Sequence, residues 1–276
     1  MMNILVINGS PKGSKSNTYR LTSAFLEGVK SRQPDWEERT ITASRLEIKS
    51  CLGCFSCWNK TPGVCCHKDD MPHVIENILW ADTIVWSFPL YYFSVPGPLK
   101  NLIDRQLPMS LPFMTADSES GGHPSRYQME NKRHVVISTC GFYTAKGNYD
   151  GVNALFDHMC GKGKYTSIYC GQGELFRVKE LSQRTDEYLS YVRTAGAEFC
   201  TGSISPDTAA KLEQLLFPRD VFEAMADASW GIEKTGEKSD ETAVFTRQMA
   251  ALYNKESYSG KDLVLEMFYT DENKVY

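Results

Sequence analysis

The sequence predicts an α/β protein: a doubly wound parallel sheet with helices on both faces, followed by a mostly helical C-terminal extension. Three observations carry this. Residues 4–8, 82–87, 134–139 and 165–170 are short runs, mostly apolar and β-prone, without the polar alternation of a half-exposed strand. That is how strands buried on both faces read. Amphipathic segments separate the runs, and a β-loop-α alternation of this kind builds a parallel sheet through right-handed crossovers. The alternation stops after Gly173, and only helical patterns follow up to about residue 254.

In order, Ile4-Leu5-Val6-Ile7-Asn8 gives the first strand, and Leu21, Phe25 and Val29, spaced four apart, mark a helix after it. Residues 37–41 carry a weaker strand signal. Residues 71–80 read as a helix with Val74, Ile78 and Leu79 on one side. Residues 88–98 hold Pro89, Pro96, Gly97 and Pro98, so a shaped loop is expected before a helix over 99–105. Residues 107–131 read as an irregular insertion, and 149–159 as a helix between the last two strands. Further helices are expected at 178–200, 206–217, 218–229 and 239–254, with 231–240 as a surface link and 262–269 as an edge strand. The expected organisation is therefore one sheet domain over 1–173 and a helical extension over 174–276, packed on the same domain.

Composition bounds the function. A 276-residue chain that is 42% hydrophobic and 23% charged is an ordinary globular protein. A net charge of −4 without a basic run argues against a nucleic-acid partner. No apolar stretch approaches the roughly 18 residues that span a bilayer. The first strand begins at once, without a signal-peptide pattern, so a cytoplasmic location is expected. Nine cysteines, an odd number, do not suit a disulfide framework in that setting. Cys140, Cys160, Cys170 and Cys200 are scattered in apolar surroundings and read as buried small hydrophobes.

The candidate site follows from topology. In open parallel sheets, ligands sit beyond the carboxyl ends of the strands. The first such loop, Gly9-Ser10-Pro11-Lys12-Gly13-Ser14-Lys15-Ser16-Asn17-Thr18, leads into a helix. The first N–H groups of a helix lack partners and its dipole favours an anion, so a phosphate fits there. Ser10, Ser16, Asn17 and Thr18 add donors and Lys12 adds charge; helix capping is the plainer role for Ser16, Asn17 or Thr18. Neither common phosphate-loop or dinucleotide pattern is present. The second loop carries Pro89, Leu90, Tyr91, Tyr92 and Phe93, and the third Thr139, Cys140, Gly141, Phe142 and Tyr143. A phosphate end beside an aromatic end suits a mononucleotide with a flat ring.

These three segments, with Leu99-Lys100-Asn101-Leu102-Ile103-Asp104-Arg105, resemble the flavodoxin-like NADPH-dependent FMN reductases. The cysteine segment followed by Lys68-Asp69-Asp70-Met71 is similar to their iron–sulfur flavoprotein branch. The resemblance spans residues 3–173. It implies a five-stranded flavodoxin-like sheet in the order 2-1-3-4-5 and a bound FMN. It implies phosphate contacts from Ser10, Ser16, Asn17 and Thr18, ring contacts from Pro89 to Phe93, and closure by Thr139, Cys140 and Gly141. It further implies electron transfer from NAD(P)H through FMN to a small acceptor: a quinone, a flavin, a nitro or azo compound, or oxygen. The flavin carries that chemistry, so no side chain is assigned as catalytic. A homodimer or homotetramer is implied as well. The competing reading is an electron carrier between protein partners.

Cys51-x2-Cys54-x2-Cys57-x7-Cys65 has the compact spacing that lets thiolates converge on one soft metal centre. A [4Fe–4S] cluster, a tetrahedral zinc ion, reduced thiols and a reversible Cys–Cys bridge all fit it. Cys66 beside Cys65 leaves the fourth ligand open, and His67 reads as a surface histidine. Asp69 and Asp70 read as N-terminal caps of the helix at Met71, and Asp104-Arg105 as a structural ion pair or a subunit contact.

Overall fold

The computed structural model describes residues 2–116 and 121–230, and the short stretches 245–246, 268–269 and 274–275. It forms two compact units, Met1–Gln214 and Leu215–Tyr276. In the first, β1 (Met2–Asn8), β2 (Trp36–Thr42), β3 (Thr83–Pro89), β4 (Arg133–Thr139) and β5 (Tyr165–Cys170) form one sheet. Its order is β2-β1-β3-β4-β5, and every pairing is parallel. The central strands are buried nearly throughout, as continuous apolar runs require. Edge strand β2, Trp-Glu-Glu-Arg-Thr-Ile-Thr, buries only Ile41 fully, which explains its weak signal; β5, read from its sequence as buried on both faces, is the other edge and fully buries only Ile168 and Cys170. β3 runs on to Pro89, two residues into the segment expected as loop.

The crossovers are α1 (Asn17–Arg32), α3 (Met71–Trp80), α4 (Gly97–Asp104) and α5 (Asp150–Cys160), with one short turn of helix, α2 (Ser56–Asn59), in the cysteine segment. One face of the sheet buries Leu5, Ile7, Trp86 and Phe88 against Val74, Ile78, Leu99, Leu102 and Phe156. On α1 lies α6 (Ser182–Phe199), entered through 3-10 turns at Gly173–Arg177 and Lys179–Leu181 rather than as one helix from 178. A Cβ on Gly28 would stand 1.9 Å from the Arg193 carbonyl oxygen, and one on Gly196 2.0 Å from that of Phe25. The two helices meet backbone to backbone, with Phe25 and Phe199 edge to face beside them at 5.4 Å. α7 (Pro206–Leu212) ends five residues before the expected boundary.

In the second unit, α8 (Arg219–Ser229) occupies the expected span. Residues 245–246 are helical; the rest of the helix expected over 239–254, and the link over 231–240, lie outside the described residues. Of the strand expected over 262–269, β6 (Phe268–Tyr269) is described. It pairs antiparallel with β7 (Lys274–Val275) in a two-stranded sheet, so it is not an edge of the five-stranded one. No helix among the described residues is long and apolar enough to cross a membrane.

Candidate cofactor site and cysteine loop

The loop after β1 is tied to the sheet at its first residue. Gly9 donates its N–H to the Ser87 carbonyl at 2.8 Å. A Cβ there would come within 2.7 Å of Leu99 and 3.0 Å of Phe88, so glycine permits this approach. Asn8 is buried; its Oδ1 accepts the Ser10 N–H at 2.9 Å, and its Nδ2 is buried without a partner among the described residues. Ser16 caps α1, its Oγ accepting the Tyr19 N–H at 3.1 Å. The capping role weighed for this residue is therefore real. The preceding N–H groups, of Asn17 and Thr18, have no acceptor among the described residues. Two such donors at the head of a 16-residue helix are the arrangement that favours an anion. Ser10 and Thr18 are buried beside it, while Pro11 and Lys12 are exposed. Sequence reading missed one cation: Arg45, after β2, lies so close that a Gly13 Cβ would stand 3.3 Å from its guanidinium.

The loop after β3 is a tight turn. Tyr91 and Ser94 exchange both backbone hydrogen bonds at 3.0 Å. Between them Tyr92 has φ 47° and Phe93 φ 64°, the left-handed values of a type I′ turn, which normally holds Asn-Gly. Such a conformation costs about 1–3 kcal/mol per non-glycine residue and clusters at functional sites. Tyr92 is 97% exposed, and Tyr91, Phe93 and Phe142 are about half exposed. These aromatics therefore do not fill the core. Phe93 and Phe142 stack at 5.5 Å.

Thr139 joins the three loops. Its Oγ1 shares a 2.6 Å hydrogen bond with Thr18 Oγ1, and its carbonyl accepts the Leu90 N–H at 2.9 Å. Cys140 is buried, and burial pushes its thiol up. Gly141 is exposed, with open space where a Cβ would stand. The structure thus brings Ser10, Ser16, Asn17, Thr18, Pro89 to Phe93 and Thr139 to Gly141 to one sheet edge. Of the other cysteines, Cys170 is buried, and Cys160 and Cys200 are only partly so, a correction to their reading as core.

The cysteine loop follows β2 and so opens on the same edge. Its ends are laced: Asp70 Oδ2 accepts the Glu47 N–H at 2.7 Å, and Asp69 Oδ2 accepts the Lys49 N–H at 3.1 Å. Capping of α3 therefore falls to Asp69, whose Oδ1 accepts the Met71 N–H at 3.2 Å, and not to Asp70 at the cap position. Asp104 pairs with Lys100 on the surface, whereas Arg105 is buried against Asp69. Cys54 stands between two left-handed residues, Gly53 (φ 62°) and Phe55 (φ 53°). Its Sγ lies 3.6 Å from that of Cys66. The Ser56 hydroxyl and N–H, then Cys66, bring the Cys54 thiol down to about 7, while the bond to Cys54 raises that of Cys66. Burial, then the charges of Cys65, Cys51 and Cys54, raises Cys57. The thiols expected at a metal, Cys51, Cys54, Cys57 and Cys65, thus share one loop. Among the described residues, no three His, Cys, Asp or Glu side chains already converge as a metal site. His67, expected at the surface, is half-buried, and its Nε2 has no partner among the described residues.

A family model described as flavodoxin-like fold matches residues 2–187. An iron-sulfur flavoprotein of Archaeoglobus fulgidus is 42% identical over 154 residues, covering 56% of this chain and 67% of that protein. One from Methanocaldococcus jannaschii is 38% identical over 104 residues, 38% of this chain and 50% of its own. The chain therefore spans half to two thirds of these relatives' lengths. An FMN-dependent NADH:quinone oxidoreductase of Sinorhizobium fredii is 28% identical over 164 residues, 57% of this chain and 75% of that protein.

Proposed function

We propose that this chain, which belongs to the flavodoxin-like fold family, is an FMN-dependent oxidoreductase that takes electrons from NAD(P)H and passes them to a small acceptor. The observation that carries this is the junction at Thr139, which holds an anion site and an aromatic turn on one sheet edge. The N–H groups of Asn17 and Thr18 and the hydroxyls of Ser10, Ser16 and Thr18 hold the phosphate, with Lys12 and Arg45 adding charge. The unpartnered Asn8 amide is one more donor below the loop. Pro89, Leu90, Tyr91, Tyr92 and Phe93 line the ring, and Thr139, Cys140 and Gly141 close its third side. Bound FMN supplies the hydride and electron chemistry, and the protein supplies position and electrostatics. Because the flavin carries that chemistry, no side chain is assigned as catalytic. Quinones, azo and nitro compounds, flavins and oxygen are the acceptor class. A homodimer or homotetramer in the cytoplasm belongs to the same proposal. The test is turnover: protein loaded with FMN oxidises NADH or NADPH with a soluble quinone, whereas a carrier loaded with FMN does not.

The second reading adds a cluster. Iron-sulfur flavoproteins are among the relatives, and the cysteine loop shares the cofactor edge. Cys51, Cys54, Cys57 and Cys65 would hold a [4Fe–4S] centre, which supplies one-electron transfer to protein partners. Assays of iron and acid-labile sulfide on anaerobically purified protein separate the two: about four irons per chain favour the carrier.

A further inference from the structure

Of the five thiols between Cys51 and Cys66, two face each other in the open. Cys54 Sγ and Cys66 Sγ are 3.6 Å apart, and both residues are exposed. A disulfide needs about 2.05 Å, so the sulfurs must close by roughly 1.5 Å. Cys57 is buried at the start of α2, and Cys65 is half-buried beside the Arg105 guanidinium. Neither is open to a reagent from solution as Cys54 and Cys66 are. The adjacent pair Cys65-Cys66 is therefore not equivalent: one sulfur turns to the buried cation and the other to Cys54.

We propose that Cys54 and Cys66 form a reversible dithiol–disulfide pair that reacts with low-molecular-weight disulfides. One of the two thiolates attacks a sulfur of the small disulfide; that S–S bond breaks, one small thiol leaves with a proton, and a mixed disulfide forms. The second cysteine, deprotonated, attacks the protein-side sulfur. A Cys54–Cys66 bond forms and the second small thiol leaves. Two cysteines lose two electrons and two protons, and one small disulfide gains both. A dithiol reductant runs the sequence backwards.

The test uses the full chain loaded with FMN, reduced, freed of reductant without oxygen and mixed with glutathione disulfide. Released glutathione is counted, and the protein is alkylated, digested and mapped. The expected result is two glutathiones released per bridge formed and a Cys54–Cys66 cross-link that dithiothreitol removes. Cys66→Ser then releases one glutathione and keeps the other on Cys54. Cys65→Ser behaves as the unaltered chain. The proposal is overturned by a bridge to Cys65, Cys51 or Cys57, by glutathionylation without a bridge, or by no release because iron holds Cys54.

Discussion

Arg105 and Asp69, 36 positions apart, form a buried two-pronged ion pair: Nη1 donates to Oδ2 at 2.7 Å and Nη2 to Oδ1 at 3.1 Å. Both side chains are at most 1% exposed. Arg105 Nη1 also donates to the Lys49 carbonyl at 2.7 Å. One guanidinium thus fastens both ends of the segment that carries all five loop thiols. Fork-to-fork pairing of this kind fixes geometry as well as charge.

Removing one partner leaves a buried charge. Arg105→Met or Asp69→Leu alone is expected to cost about 3–5 kcal/mol of stability, whereas the double replacement recovers most of it. Urea denaturation of the three variants checks this. Equal losses in the double and single variants would mean the pair is not what holds the segment.

The same pair sets a pH dependence. Burial raises the Asp69 carboxyl, but Arg105 and the N–H groups of Lys49 and Met71 outweigh it and hold it below the ordinary value. A folded-state value below the unfolded one of about 3.9 means stability present above that pH and lost as pH falls through the folded value. His134 adds an earlier window. Burial, then Lys132, brings its ring down to about 4, and its Nδ1 accepts from the Trp86 indole at 3.3 Å. Its contribution is present above about 6.5 and fades towards pH 4. Thermal melts from pH 7 to 3 are expected to fall in both windows, and His134→Gln flattens the first.

The crossing of α1 and α6 leaves no room for a methyl group. Gly196→Ala sets its Cβ 2.0 Å from the Phe25 carbonyl oxygen, a backbone atom that cannot step aside. The expected loss is at least about 3 kcal/mol, the upper end of overpacking costs. A melt of this variant within a degree of the unaltered chain would refute the close contact.

Gly28 and Gly196 also mark where sequence reading stopped. The central strands were legible because their runs are mostly apolar and do not alternate with polar residues, and the site loops because Gly, Pro and Ser mark the segments after the strands. Neither glycine announces a contact with a helix some 170 residues away, since each sits inside an ordinary amphipathic pattern. Asn8 reads as the end of a strand, and only its buried, unpartnered amide marks it. Arg45 lies 32 positions after Gly13, and the β2 crossover alone brings them together. Cys65 and Cys66 cannot be told apart by spacing; the three-dimensional loop separates them.

The left-handed turn at Tyr92 and Phe93 trades stability for an exposed aromatic shelf. Replacing the pair with Asn-Gly is expected to raise stability by about 1 kcal/mol or more, because these residues accept type I′ angles. The same change should weaken FMN binding about tenfold, or 1.4 kcal/mol, through loss of ring stacking. Denaturant melts and FMN titration on one variant check both directions.

The most direct test is titration of the flavin-free full chain with FMN, followed by absorbance and by calorimetry. The account predicts one FMN per chain, a perturbed flavin spectrum, and binding weakened by Thr18→Val, which removes the hydroxyl shared with Thr139. A chain that is folded by circular dichroism and takes up no FMN at any concentration would contradict it.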